Sequence, residues 1–198
     1  MDNIVKIPAL CTISSRRKQG FTLLESMVAI AVVGILTAIA LPSINNFLVK
    51  MRVDNEISEM QRLLLTARNM AINTGRNTTV CPLTSGVCTT NWQNEISVFT
   101  NGDNAVATNN TFADPDALIK VKDAIKTGDR LQFTNVSVIY APSGQLITAQ
   151  GSFSYCPQNA DEASRGIDLS ISGRSYISSD TDNDGKDENR NGNEIACI

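Results

Sequence analysis

The chain has 198 residues, of which 42% are hydrophobic and 5% aromatic, with a formal net charge of −3 and no histidine. That composition excludes a wholly disordered or collagen-like chain, and the acidic balance argues against nucleic-acid binding by bulk charge. The absence of histidine removes the Ser-His-Asp triad, the Cys-His dyad and the commonest metal ligand, which weakens the case for an enzyme.

The charge is unevenly placed. Residues 1–20 hold Lys6, Arg16, Arg17 and Lys18 against Asp2, which leaves 13 basic and 19 acidic side chains for the remainder. A basic start before an acidic body suggests a targeting segment. From Phe21 to Leu41 there is one charge, Glu25, in 21 residues. As a helix this run is about 30 Å long, the thickness of a bilayer's hydrocarbon core. The basic cluster before it keeps residues 1–20 in the cytoplasm and exports the body. A secretory signal cut at Ala38-Ile39-Ala40 is one reading. It leaves Glu25 unexplained, because an acid inside a membrane helix is costly and normally has a partner. It also ignores a helical pattern that runs on past residue 50.

In that continuation Val53, Ile57, Met60, Leu64, Ala67 and Ala71 recur at spacings of three and four and mark one apolar face. Lys50, Arg52, Asp54, Glu56, Glu59 and Arg62 lie mostly off it. Gly75 is a helix stop, and Pro42 should kink or locally open the helix. One long, bent helix is therefore expected over residues 21–75. Residues 76–198 read as β structure. Strands are expected at Asn77–Pro82, Ile96–Thr100, Val136–Tyr140, Gln145–Thr148, Gly151–Cys156, Gly166–Ile171 and Ser175–Ser178. Ala141-Pro142-Ser143-Gly144 is a hairpin signature, Asn101-Gly102-Asp103 a turn signal, and residues 101–117 a surface loop.

Arg17-Lys18-Gln19-Gly20-Phe21-Thr22-Leu23-Leu24-Glu25 resembles the processing site of type IV prepilins and type II secretion pseudopilins: a basic leader, Gly, Phe, three further residues and Glu, directly before an apolar stretch. The resemblance implies that a prepilin peptidase cuts between Gly20 and Phe21 and methylates the new amine of Phe21. The membrane helix is then retained. It also implies that Glu25 acts in assembly, neutralised by the amine of a neighbouring subunit, since an unpaired carboxylate in an apolar filament core is strongly disfavoured. The order of later parts is similar to FimU/FimT minor pilins and GspH pseudopilins. The parts that match are Leu65–Arg76 leading into Thr78-Thr79-Val80-Cys81-Pro82, then Trp92, Tyr140–Gly144, Gly151–Cys156, and Arg165–Ser172 before Gly173-Arg174.

The implied organisation is a removed leader over residues 1–20, a transmembrane and amphipathic helix over 21–75, and a β-rich pilin head over 76–198. The fold class is α+β, with the long helix packed on an antiparallel β domain. The implied location is the inner membrane, crossed once with the C-terminal domain in the periplasm, and then the pilus fibre on the cell surface. Implied partners are the prepilin peptidase, other minor pilins and the major pilin, met through the helix.

Cys11 would leave with the leader, and Cys81, Cys88, Cys156 and Cys197 form an even set in an oxidising compartment. Four cysteines allow three pairings. The favoured one joins Cys81 to Cys88, seven apart around Gly86, and Cys156 to Cys197, which pins the tail to a strand. A metal site in place of the disulfides lacks CxxC spacing and histidine. Asp180, Asp182 and Asp184 alternate before Gly185, with Glu188 following, like the first half of an EF-hand calcium loop. The twelfth position is Asn191 rather than Glu, so the rival reading is a solvated acidic turn.

The function expected is that of a non-enzymatic minor pilin that primes or caps a type IV pilus. One alternative is a FimT-like DNA receptor acting through Gly173-Arg174, although Ser175 and Tyr176 stand where a second Arg is expected. The other is a GspH-like pseudopilin of a type II secretion system.

Overall fold

A computed structural model of the chain describes residues 20–102 and 109–197, with the side chains of residues 39–43 excepted. Cys11 and the basic leader ahead of Gly20 lie outside the described residues, as does Asp103 of the expected turn. Two compact units divide at Ser43 and Ile44. A single helix, α1 (Leu23–Thr74), belongs to both, and its backbone stays helical through Pro42. It ends with the Gly75 amide bonded to the Ala71 carbonyl at 3.1 Å and Gly75 at φ +65°.

The second unit combines the later part of α1 with two antiparallel sheets. The strands are β1 (Thr78–Thr84), β2 (Val87–Cys88), β3 (Ile96–Thr100), β4 (Ala117–Lys122), β5 (Arg130–Gln132), β6 (Val138–Tyr140), β7 (Gly151–Cys156), β8 (Arg165–Leu169) and β9 (Ser175–Ile177). Among the described residues, the first sheet runs β2-β1-β3-β4 with β6 also paired to β1, and the second runs β5-β7-β8-β9. The fold is α+β.

One core joins the helix to both sheets. Val53, Ile57, Met60, Leu64, Ala67 and Ala71 are all buried, so the three-and-four spacing marks the packed face. Opposite them lie Val80 and Val98 from the first sheet and Phe153, Tyr155 and Ile167 from the second. Trp92 anchors the middle. It meets Phe133 and Phe153 edge-on at 5.3 and 4.9 Å, and its indole N–H donates to the Asn135 carbonyl at 3.0 Å. Buried Trp keeps its polar edge bonded in this way because an orphaned donor would cost free energy.

Charged residues beside the apolar stripe are drawn into the head. Arg52 reaches Asp129, Glu56 and Glu59 reach Lys122, and Asp54 reaches Arg165. Further along, Arg68 donates through Nε to the Gly144 carbonyl at 2.9 Å and through Nη2 to the Ser172 carbonyl at 3.2 Å, clamping two turns onto the helix.

The strand expected at Gln145–Thr148 does not form. The Ala141–Gly144 turn closes, with Ala141 N–H on the Gln145 carbonyl at 2.8 Å. The segment still runs back along β6, with an antiparallel bridge between Tyr140 and Leu146 and the Ile147 N–H on the Ile139 carbonyl at 2.9 Å, but Leu146 N–H turns to the Ile171 carbonyl at 3.0 Å and the pairing stops at that one bridge. Conversely, β4 starts at Ala117, the last residue of the expected loop, and β2, β4 and β5 are strands that the pattern did not mark.

Candidate functional site

The amino-terminal segment starts with exposed, non-helical Gly20 and Phe21. Thr22 caps the helix, its hydroxyl accepting the Glu25 N–H at 3.2 Å. With Glu25 three residues on, this is the sequence of a capping box. Glu25 is exposed, and so are the apolar side chains around it, from Phe21 at 79% through Leu23, Leu24, Met27 and Val28 to Leu36. The hydroxyls of the run turn back on the backbone. Ser26 donates to the Thr22 carbonyl at 3.3 Å, and Thr37 bonds the Val33 and Gly34 carbonyls at 2.9 and 3.0 Å. A helix whose polar atoms are satisfied internally suits apolar surroundings. Glu25 is the exception. Among the described residues no helix is long and apolar enough to cross a membrane; the side chains of residues 39–41, the end of the expected span, are not among them.

Two disulfides brace the head. Cys81–Cys88 closes the β1–β2 hairpin across its Ser85-Gly86 turn, with Cα atoms 5.5 Å apart. Cys156–Cys197 ties the tail to the end of β7, with Cα atoms 5.9 Å apart. The acidic tail folds as a compact loop. Asp180 accepts the Asn183 and Gly185 amides at 2.7 and 3.0 Å, Asp182 accepts the Asp184 amide at 3.1 Å, and Asp184 accepts the Lys186 amide at 2.9 Å. Asp180, Asp182, Asp184 and Glu188 each bring one carboxylate oxygen within 4.8 Å of the others. Asn191, the twelfth position, belongs to a separate turn, its N–H on the Asn189 side chain at 2.9 Å.

Arg174 follows a glycine fixed by packing. A Cβ on Gly173 would lie 2.0 Å from the Gly144 carbonyl oxygen, and φ is +75°. The Gly of this Gly-Arg pair is therefore accounted for by contact between the two turns that Arg68 clamps. Arg174 itself is exposed. Arg165 is engaged elsewhere, bonded to Asp54 Oδ1 at 2.5 Å, Asp187 Oδ2 at 2.8 Å and the Ser178 carbonyl at 3.1 Å. The Arg190 guanidinium sits 3.8 Å over the Tyr176 ring. A cleft of about 590 Å³ between Trp92, Phe133, Ser154 and the tail holds one titratable group, Glu194, which pairs with Lys186 at 2.8 Å.

Residues 56–173 match the family described as Type II transport protein GspH, and residues 15–41 match the prokaryotic N-terminal methylation motif. The chain belongs to the GspH family. Its members are type IV pilin-like minor pilins and pseudopilins, structural proteins of the pilin superfamily. Pilins of this superfamily are membrane-anchored and assemble into pili. Curated relatives include a fimbrial protein of Pseudomonas aeruginosa, 38% identical over 61 residues covering 31% of this chain and 39% of the relative. Another is the type IV major fimbrial protein FimA of Dichelobacter nodosus, 31% identical over 96 residues, 48% of this chain and 55% of the relative. The chain thus spans about half or less of the length of these relatives. The fold is similar to that of the type IV minor pilin FimU of Pseudomonas aeruginosa, with a TM-score of 0.51 at 16% identity over 64% of this chain and 88% of that one.

For a GspH-family chain, the elements that decide the head's geometry are ones a local reading passes over. Arg52, Glu56 and Arg68 look like solvated helix charges in sequence, yet their partners are 66 to 104 residues away. The available signal is weak: charges flanking an apolar stripe at its edges.

Proposed function

We propose that this chain is a minor pilin that primes or caps a type IV pilus. One observation carries the reading. The methylation motif lies at the head of a helix that leaves its apolar side chains exposed and then runs on, as the same helix, into the folded head. In this reading the prepilin peptidase removes residues 1–20 and methylates Phe21. The apolar segment anchors the subunit in the inner membrane with the head in the periplasm. The small residues Ala29, Ala31, Gly34 and Ala38 let the helix pack closely against other minor pilins and the major pilin in the fibre. N-terminal sequencing of the mature protein should return a chain beginning at N-methylated Phe21. A chain beginning at Leu41 would refute the pilin reading.

The match to a type II transport protein family favours a second reading, a pseudopilin. Deleting the gene separates the two. Loss of surface pili with normal protein secretion supports the minor pilin, and the reverse outcome supports the pseudopilin.

DNA capture through Arg174 is not favoured. Non-specific DNA binding needs several cations meeting phosphates. Arg165 is committed to two carboxylates, and the loop at 180–188 adds five acidic side chains nearby. Mobility-shift titration of the full-length chain at physiological salt should detect no binding to double-stranded DNA. Micromolar binding lost in Arg174→Ala would make uptake the leading function.

A further inference from the structure

The acidic loop carries a feature that a solvated turn does not need. Glu188 is 5% exposed, the most buried of the four clustered acids, and lies on the tail between bridges to Ser179 and Glu194. Its Oε2 is fully engaged, accepting the Thr181 N–H and hydroxyl, each at 2.6 Å. Its Oε1 is buried with no hydrogen-bond partner. A buried carboxylate oxygen without a donor or counter-ion is strongly unfavourable. The basic groups Lys186 and Arg165 are used elsewhere: Lys186 Nζ sits on Glu194 at 2.8 Å and Arg165 on Asp54 and Asp187. What lies beside Glu188 is more acid, the carboxylates of Asp180, Asp182 and Asp184, all within 4.8 Å.

We infer that residues 180–188 form a calcium site, with Asp180, Asp182, Asp184 and Glu188 as carboxylate ligands. The spacing places oxygen donors at the first, third and fifth positions, and Gly185 at the sixth takes φ +93°, the sharp turn that such a loop requires. The closing acid comes from the ninth position, not the twelfth. This explains how Asn191 can stand at the twelfth without emptying the ligand set. All-oxygen donors select a hard cation, and four carboxylates on an exposed loop suit the larger, geometrically tolerant calcium over magnesium, which demands a near-octahedral shell and keeps its waters. Thiolate and imidazole donors, which would favour zinc, are absent from the set. The cation would supply the partner that Glu188 Oε1 lacks. It would also stiffen the loop whose Asp187 holds Arg165, and through Arg165 the loop is joined to Asp54 on α1.

The test uses the full-length chain in detergent, stripped with chelator and titrated with calcium chloride by calorimetry, with melting followed in parallel. One ion should bind per chain. Because the ion binds the folded state, saturating calcium should raise the melting temperature by about 3 °C or more. The paired substitution Asp182→Asn and Asp184→Asn, both at exposed positions, should melt like wild type in chelator, abolish the calcium shift and weaken binding by about tenfold or more. Glu188→Gln should lose the shift as well. Magnesium at the same concentration should give a clearly smaller shift. Equal wild-type melting with and without calcium overturns the site. Undiminished affinity in the paired variant, or an equal shift with magnesium, overturns it too.

Discussion

Replacing Asp129 by alanine should lower stability by about 3–5 kcal/mol, the range for removing one partner of a buried charge pair. The Asp129 side chain is wholly buried. Its Oδ2 lies 2.9 Å from Arg52 Nε, an ion-pair contact without hydrogen-bond geometry, and accepts the Tyr155 hydroxyl at 2.6 Å; its Oδ1 accepts Arg52 Nη2 at 3.3 Å and the Gln158 N–H at 2.9 Å. Alanine would strand a guanidinium that is only 25% exposed, a buried phenol and a backbone amide together. Burial, reinforced by the bond to Asp129, holds the Tyr155 phenol far above its ordinary range, so it stays a donor at any working pH. Tyr155→Phe removes one of the donors and should cost about 1–2 kcal/mol. Asp129→Asn keeps the shape and loses the charge, so its cost should fall between the two. Denaturant unfolding of the full-length chain measures all three. A loss below about 1 kcal/mol for Asp129→Ala would mean that the Arg52 link does not hold α1 to the β5 loop.

Lys122 makes the same point in the other sheet. It is a lysine with a side chain 2% exposed, its Nζ 2.6 Å from Glu56 and 3.8 Å from Glu59 on the helix. Neither pair was legible beforehand. Composition and periodicity report which face of a helix is apolar. They do not report which distant loop supplies a counter-charge. The apolar stripe was legible because burial at a helix face is a local, repeating demand, and Val53 through Ala71 meets it at every turn. Strand β4 was not, because both its faces are partly open: Leu118 and Val121 are exposed while Lys122 is buried, which inverts the pattern that alternation relies on. Arg165, which local sequence marks only as a lone cation, is an internal strut between helix and tail. The acidic loop was half legible. Its three aspartates and glycine announced themselves, whereas the weight that Glu188 carries depends on burial, which no spacing displays.

Glu25→Gln should reduce incorporation of the subunit into sheared pili roughly as severely as Glu25→Ala, by tenfold or more, while processing and membrane insertion proceed. Two roles compete for this residue, and the glutamine variant divides them. The first is local. Thr22 caps the helix through the Glu25 N–H, and a Glu at this place in a capping box also favours the helix dipole, each effect worth about 1 kcal/mol at most. Glutamine serves a capping box as well as glutamate does. If capping were the role, Glu25→Gln would assemble normally and only Glu25→Ala would falter. The second role is a charge pair formed on assembly. After the proposed cleavage, Phe21 carries a cationic amine four residues before Glu25. In a filament core, leaving that amine without its carboxylate costs several kcal/mol. About 1.4 kcal/mol is already a tenfold change in occupancy. The exposed apolar side chains from Leu23 to Leu36 give any packed assembly a low-dielectric surrounding in which such a pair matters. Immunoblots of sheared pili against membrane fractions read the result directly. Wild-type levels of the glutamine variant in the pili would assign Glu25 to the helix cap and remove it from assembly.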